Sequence, residues 1–223
     1  MVMNRSVDRQ AVSVAEAHLV RVAADGCARH PYLTALLEVS GVNSARDIAD
    51  AVHLLCSLHG RHPSLVEHAC LHAEDGQSRD WLGRAADAFE RERLYLVRLA
   101  SAVGPMPSTP GAAETEASLA AQRNALEILA TSERRGCPLG AAAALVGDWW
   151  PIRRLLDRAA SRAGLDIPSP ALPDEASVAA AVEAASSTLA SERALAFGAE
   201  QLLLQHRGLF DLLEARASAR REY

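Results

Sequence analysis

Histidines are the residues best suited to chemistry in this sequence, and five of the eight lie between positions 53 and 72. His68 and His72 are four residues apart, a spacing that places two side chains on one face of a helix. Two imidazole rings on one face can bind a divalent metal. We therefore predict a metal site at His68 and His72. The alternative is that both are polar side chains on an exposed or interface helix.

A second set of candidates consists of polar side chains that fall in register with the apolar faces of helices. A buried carboxylate must be ion-paired, hydrogen-bonded or bound to a metal. Salt bridges to arginine are therefore the main alternative to a functional role for these residues. The side chains in this set are Glu92, Glu133, Glu192 and His206.

A pair of tryptophans, Trp149 and Trp150, adds a large aromatic volume to an alanine-rich helix. An apolar wall with a few placed polar groups is the usual composition of a small-molecule site. We predict such a site from Trp149, Glu192 and His206, with the ligand and any cofactor left unknown. The alternative function is a non-enzymatic, oligomeric interaction protein whose polar residues form salt bridges between subunits.

The absence of lysine excludes several kinds of chemistry, because all 23 basic residues are arginine. A Walker A loop, a pyridoxal phosphate enzyme and a protein kinase each need a lysine. Four widely spaced cysteines without a CxxC pair are typical of free, buried thiols. Whether the protein is an enzyme is left open by these residues.

The charge balance bears on partners and location. A net charge of −5 disfavours nucleic acid as a partner, and Arg216, Arg220 and Arg221 are expected to be solvated cations at the end of a helix. No apolar run reaches the roughly 20 residues of a membrane span, and the N-terminus lacks the apolar core of a signal peptide. We therefore expect a cytoplasmic protein with a small-molecule ligand, no membrane partner and self-association.

Helices must position these residues, because aromatic residues make up only 4% of the chain and no long stretch alternates apolar and polar residues. We predict an all-α fold, a single up-and-down multi-helix bundle that occupies residues 1–223 as one domain. Glycine and proline punctuation predicts linkers at 104–111 and 165–173. The predicted helices cover residues 7–24, 31–41, 44–58, 63–74, 78–103, 113–135, 138–164 and 174–217.

Three segments resemble the TenA-type proteins of thiamine metabolism, which belong to the haem-oxygenase-like helical superfamily. They are HPYLTALLEVSG at 30–41, AALVGDWWPI at 143–152 and GLFDLLEA at 208–215. The resemblance implies a haem-oxygenase-like bundle that binds a small ligand in its core, and ferritin-like bundles share this architecture. A proximal haem ligand of the superfamily type would be His18 or His30.

The chain departs from the pattern of these families at their reactive residues. Gly147 stands where the TenA nucleophile is a cysteine, and Pro151 stands at the position of a tyrosine. Cys137 lies ten residues before the cysteine position. No Glu-x-x-His motif of the ferritin-like di-iron proteins is present. We therefore expect a catalytically degenerate, small-ligand-binding member of this group.

Overall fold

The computed structural model describes residues 12–38, 40, 42–73 and 75–222, and within these ranges the regular structure is entirely helical. The predicted all-α helical bundle is confirmed. A short 3₁₀ helix, Cys27–Arg29, joins the first two α-helices. The α-helices are α1 Val14–Asp25, α2 Pro31–Glu38, α3 Val42–His59, α4 Leu65–Leu71, α5 Gly76–Ala102, α6 Ala112–Ala130, α7 Cys137–Ala163, α8 Glu175–Ala185 and α9 Leu189–Arg221.

Side-chain caps set the beginnings of several helices, since the first backbone N–H groups of a helix have no partner within it. Ser13 caps α1, and the predicted start at residue 7 lies outside the described residues. The predicted start of α5 at residue 78 is two residues late, because the helix begins at Gly76. Asp75 caps this helix, because its carboxylate accepts the backbone N–H of Ser78 at 2.7 Å.

The single C-terminal helix predicted from residue 174 is also wrong, because the chain breaks between α8 and α9. Ser186 donates its hydroxyl to the carbonyl of Glu183 at 2.7 Å. Thr188 and Ser191 then form a reciprocal capping box that begins α9. Serine and threonine side chains compete with helical hydrogen bonds in this way. The sequence pattern of apolar residues continues across the break and conceals it.

α7 and α9 lie against each other at the centre of the bundle, and glycines allow their close approach. A β-carbon on Gly140 would lie 2.1 Å from the carbonyl oxygen of Leu195, and one on Gly198 would lie 2.2 Å from that of Cys137. Gly198 therefore allows contact between two backbones while α9 remains one continuous helix. The core consists largely of alanine, leucine and valine.

The end of α9 is fastened to α3 by a buried ion cluster. Both oxygens of Asp50, which is fully buried, accept hydrogen bonds from Arg216 at 2.7 and 3.0 Å. Arg220 adds a bond to Asp50 at 2.6 Å and one to Asp47 at 2.7 Å. The expectation that Arg216 and Arg220 are solvated is wrong, because these guanidinium groups pair with carboxylates that α3 presents to them.

In the described part of the chain, no helix combines the length and the apolarity that a membrane crossing requires.

From the ion cluster, we predict that one isosteric substitution has a large effect on stability. Asp50→Asn should lower the free energy of unfolding by about 3 kcal/mol, because it leaves the buried guanidinium group of Arg216 without a carboxylate and Arg220 with Asp47 alone. Urea denaturation measures the change. The matched control is Glu200→Gln at the surface pair with Arg21, which should change stability by less than about 1 kcal/mol. Equal effects of the two substitutions would contradict the structural importance of the cluster.

Candidate functional site

Three buried side chains from three helices form a continuous line of hydrogen bonds, which we call the histidine relay: Asp148, His206 and His59. Asp148 lies on α7, His206 on α9, and His59 is the last residue of α3. Oδ2 of Asp148 lies 2.7 Å from Nδ1 of His206, and Nε2 of His206 lies 3.1 Å from Nε2 of His59. All three side chains are at least 95% buried.

The acceptor atoms of Asp148 assign the direction of the relay. Its Oδ1 accepts the backbone N–H of Cys27 at 2.8 Å, so the carboxylate accepts at both oxygens when His206 donates through Nδ1. With only this proton on the ring, Nε2 of His206 offers a lone pair, which accepts the Nε2–H of His59. This arrangement leaves the proton-free nitrogen of His59 at Nδ1.

The environment of His59 keeps this ring neutral. Burial, followed by the neighbouring His206 ring, holds the pKa of His59 well below its usual range. Among the described residues, none forms a hydrogen bond with Nδ1 of His59, and 5% of the surface of this residue is exposed. His59 therefore keeps a ring nitrogen without a partner in the described part of the chain.

Aromatic side chains fix the orientation of the His59 ring. The ring of Trp149 packs edge-on against it with centroids 5.3 Å apart, and Phe89 packs edge-on at 6.2 Å. The indole N–H of Trp149 donates to Glu92 at 3.1 Å, and Glu92 pairs with Arg153 at 2.7 Å. A buried ion pair thus holds the tryptophan, and the tryptophan holds the histidine.

His59 lines a cavity of about 210 Å³ between α3, α4, α5 and α6, which we call the His59 cavity. Its charged and titratable lining residues are mostly basic, with the single carboxylate of Glu127 among them. Arg123 is half-buried in the wall, and Arg61 is exposed at the loop that precedes α4. The remaining lining residues are Leu58, His62, Pro63, Ser64, Leu65, His68, Phe89, Leu126 and Ala130.

Two of the three residues predicted for a ligand site come together, and the third does not. Trp149 and His206 both contact the ring of His59. Glu192 lies 14 residues before His206 on the same helix, which is about 21 Å along the axis. Trp149 itself is fully buried, so it supports the relay and does not line the cavity.

The two histidines predicted to bind a metal contribute to different cavities. His68 lines the His59 cavity, whereas His72 ends α4 and lines a separate cavity beside the start of α5. Nδ1 of His72 is hydrogen-bonded to the backbone oxygen of His68 at 2.8 Å. The metal site at this pair stays a prediction.

Potential metal ligands converge elsewhere among the described residues. Atoms of Cys27, Asp148 and His206 lie within 4.8 Å of one another, and so do atoms of His62, Glu67 and Glu90 near the exposed end of the cavity. Burial and the nearby Asp148 raise the pKa of the Cys27 thiol well above its usual value. Metal binding by cysteine requires a thiolate, and Asp148 and His206 of this cluster already bond to each other at 2.7 Å.

Asp148 and His59 are the relay members that the sequence analysis did not single out. A carboxylate within the apolar run AAAALVGDWW has to be buried and paired, and that argument would have found Asp148. His59 had no comparable feature, because one histidine among five clustered ones does not indicate which ring enters the core.

The comparisons with known proteins give one match. The model of a family of unknown function, DUF6975, matches residues 22–221, which is most of the chain. No curated protein and no solved structure matches the chain.

Two glutamates on apolar faces should differ in their contribution to stability. Glu92→Gln leaves Arg153 without its buried partner and should lower the free energy of unfolding by about 3 kcal/mol. The side chain of Glu192 forms no hydrogen bond or ion pair with any described residue, so Glu192→Gln should change the free energy of unfolding by less than about 0.5 kcal/mol. Thermal and urea melts of both variants measure the difference. A larger loss for Glu192→Gln would contradict this assignment.

Because His59 is neutral in the folded protein, we predict that the free energy of unfolding falls in acid. The unfolded chain binds a proton at this residue near pH 6.5, whereas the folded chain does not, so the free energy of unfolding falls as the pH drops below that value. In His59→Gln, the loss between pH 7.5 and 5 should be smaller by about 2 kcal/mol. The half-exposed His53 supplies the control, His53→Gln, which should keep the wild-type loss. An unchanged loss in His59→Gln would show that the ring protonates in the folded state.

Proposed function

We propose that this chain, which belongs to the DUF6975 family of unknown function, binds a small anionic molecule in the His59 cavity and acts on it as a general acid–base catalyst. One observation carries the proposal: a buried line of hydrogen bonds that begins at Asp148 ends on a histidine in the wall of a cavity. Two histidines with a purely structural role would not need to line a cavity.

The anionic character of the ligand follows from the cations of the cavity. Arg61 and Arg123 are charged at every relevant pH, and guanidinium groups bind carboxylates and phosphates in a planar, directional way. Arg123 is oriented by Glu116 at 3.2 Å, and its other nitrogen lies 3.5 Å from the carbonyl of Ser57. The volume of about 210 Å³ limits the ligand to a small molecule.

Proton transfer at His59 follows from the order of the relay. Nδ1 of His59 accepts a proton from the ligand, and the ring passes the proton on Nε2 to Nε2 of His206. The positive charge then lies on His206, where the Asp148 carboxylate stabilises it. The reverse sequence returns the proton, so the same residues serve as base and as acid.

Nucleophilic catalysis has less support from this site. The hydroxyl of Ser64 lines the cavity, but it accepts the backbone N–H of Glu67 as the cap of α4. Cys27 lies at the Asp148 end of the relay and holds its proton. An acid–base function therefore suits a chain that has Gly147 in place of the TenA-type nucleophile. Relationship to that superfamily and self-association stay proposals, and the acid–base function depends on neither.

Proton uptake on anion binding tests the proposal directly. Sulfate and acetate do not titrate near pH 6, so protons taken up when they bind belong to the protein. Calorimetric titrations in two buffers of different ionisation enthalpy measure this uptake. We expect saturable binding of at least one anion with uptake of a fraction of a proton, because an anion beside His59 favours its protonated form.

Two variants and a matched control for each locate the effect. Arg123→Gln should weaken anion binding about tenfold, whereas the exposed Arg154→Gln on α7 should not. His59→Gln should bind the anion without proton uptake, and His68→Gln, which changes another histidine of the same wall, should retain the uptake. Absence of binding to wild type, or uptake that persists in His59→Gln, would overturn the proposal.

A further inference from the structure

A second cavity, of about 380 Å³, lies between α1, α7 and α8, and we call it the His18 cavity. Its walls are mainly apolar, with Leu19, Val22, Trp150 and Val178 among the lining residues. Its volume falls within the range of small-molecule sites, which combine apolar walls with a few polar groups. The polar groups of this cavity indicate the chemistry of its ligand.

His18 is the first of these polar groups. Its side chain is 95% buried, it lines the cavity, and its Nε2 has no hydrogen-bond partner. Burial, with the charge of Arg21 second, lowers the pKa of His18 to about 4, against an opposing hydrogen bond with the backbone of Ala143. A neutral imidazole carries a proton on one nitrogen and a lone pair on the other. With the proton on Nδ1, Nε2 is an acceptor without a donor.

The second polar group is a backbone carbonyl at Gly147. In a helix, this oxygen would accept the N–H of residue 151, but Pro151 has no N–H to give. Both Gly147 and Pro151 line the cavity. Two acceptors that lack their usual donors thus occur in one cavity, His18 Nε2 and the Gly147 carbonyl. A buried polar group without a partner costs stability, so a ligand that supplies a donor is favoured.

Trp150 supplies the third feature, an aromatic wall that is open to solvent. Its side chain is 39% exposed, whereas the adjacent Trp149 is fully buried. A large aromatic side chain at the opening of an apolar cavity offers a face for stacking with another flat ring. The shape of the wall therefore suits a planar ligand.

The charges around the cavity favour an uncharged ligand. Asp148 lines the cavity, but both of its carboxylate oxygens already accept hydrogen bonds, from Cys27 and His206. Glu175 lies exposed at the start of α8, so its carboxylate is solvated. An anion would approach two carboxylates, and a cation would find no unpaired buried carboxylate.

We propose that the His18 cavity is a second binding site, for a flat, uncharged, mainly apolar molecule that donates a hydrogen bond to His18. The Gly147 carbonyl is the alternative acceptor on the same wall, and Trp150 stacks on the ring of the ligand. This site is separate from the His59 cavity and does not depend on the function proposed for it.

Indole and 1-methylindole form a matched pair of probes, because they share a flat apolar shape and only indole has an N–H donor. Titration of each into ¹⁵N-labelled protein, followed by amide chemical shifts, gives both affinity and location. We expect saturable binding of indole with shifts in α1, at 143–151 of α7 and in α8. We expect 1-methylindole to bind about tenfold more weakly, the equivalent of one hydrogen bond.

Variants separate the hydrogen bond from the aromatic wall. His18→Phe keeps an aromatic side chain but removes the acceptor, so it should abolish most of the preference for indole over 1-methylindole. Trp150→Ala changes a partly exposed position with little effect on folding, and it should weaken both probes several-fold. Arg123→Gln, which changes the wall of the His59 cavity outside the relay, should leave the binding of both unchanged, which distinguishes this site from the His59 cavity.

Three results would overturn the proposal. The first is absence of saturable indole binding to wild type at millimolar concentration. The second is equal affinity for the two probes, and the third is a set of shifts that lies away from α1, α7 and α8. If His18→Phe does not fold, the probe pair and Trp150→Ala decide the question in the same way.

Discussion

The close crossing of α7 and α9 is the constraint on which the candidate site depends. Gly140 and Gly198 allow the two backbones to touch, and this contact sets the register between the helices. Gly140 meets Leu195, and Asp148 meets His206 about two turns further along α7 and about three turns further along α9. These eight residues on α7 span about 12 Å. A β-carbon at either glycine would move the helices apart and separate the carboxylate from the imidazole.

Buried polar groups in this protein fall into two kinds, those whose partners all belong to the chain and those that retain an unpartnered atom. The Asp50 cluster and the Glu92–Arg153 pair are closed, because each buried carboxylate meets guanidinium groups of the chain. The histidine relay is open, since His59 retains a nitrogen without a partner beside a cavity. Trp149 joins the two systems, donating to Glu92 and packing on His59. The closed ion pairs hold helices together. The open relay ends beside a cavity, where a ligand can form the missing hydrogen bond.

The relay also connects two regions of different character. At one end, His59 lines a small cavity with arginines in its wall. At the other end, Asp148 lines a larger and mostly apolar cavity that carries His18 and Trp150. Arginine selects anions, whereas unpartnered acceptors on apolar walls select uncharged donors. The two cavities should therefore bind different classes of molecule although one helix, α7, contributes to the relay and to the second site.

The sequence by itself determined the fold class, most helix positions and the exclusion of lysine-dependent chemistry, because helical periodicity, glycine and proline positions and composition are local properties. It also singled out Trp149, His206 and Glu92, since polar or bulky residues on apolar faces are visible from spacing alone. Which of them meet was decided by tertiary structure. The partner of a buried carboxylate depends on the register between helices, and that register depends on backbone contacts between residues about 57 positions apart. For the same reason, only the packed bundle assigned Asp148 to His206, placed His59 at the cavity and left Glu192 distant from both.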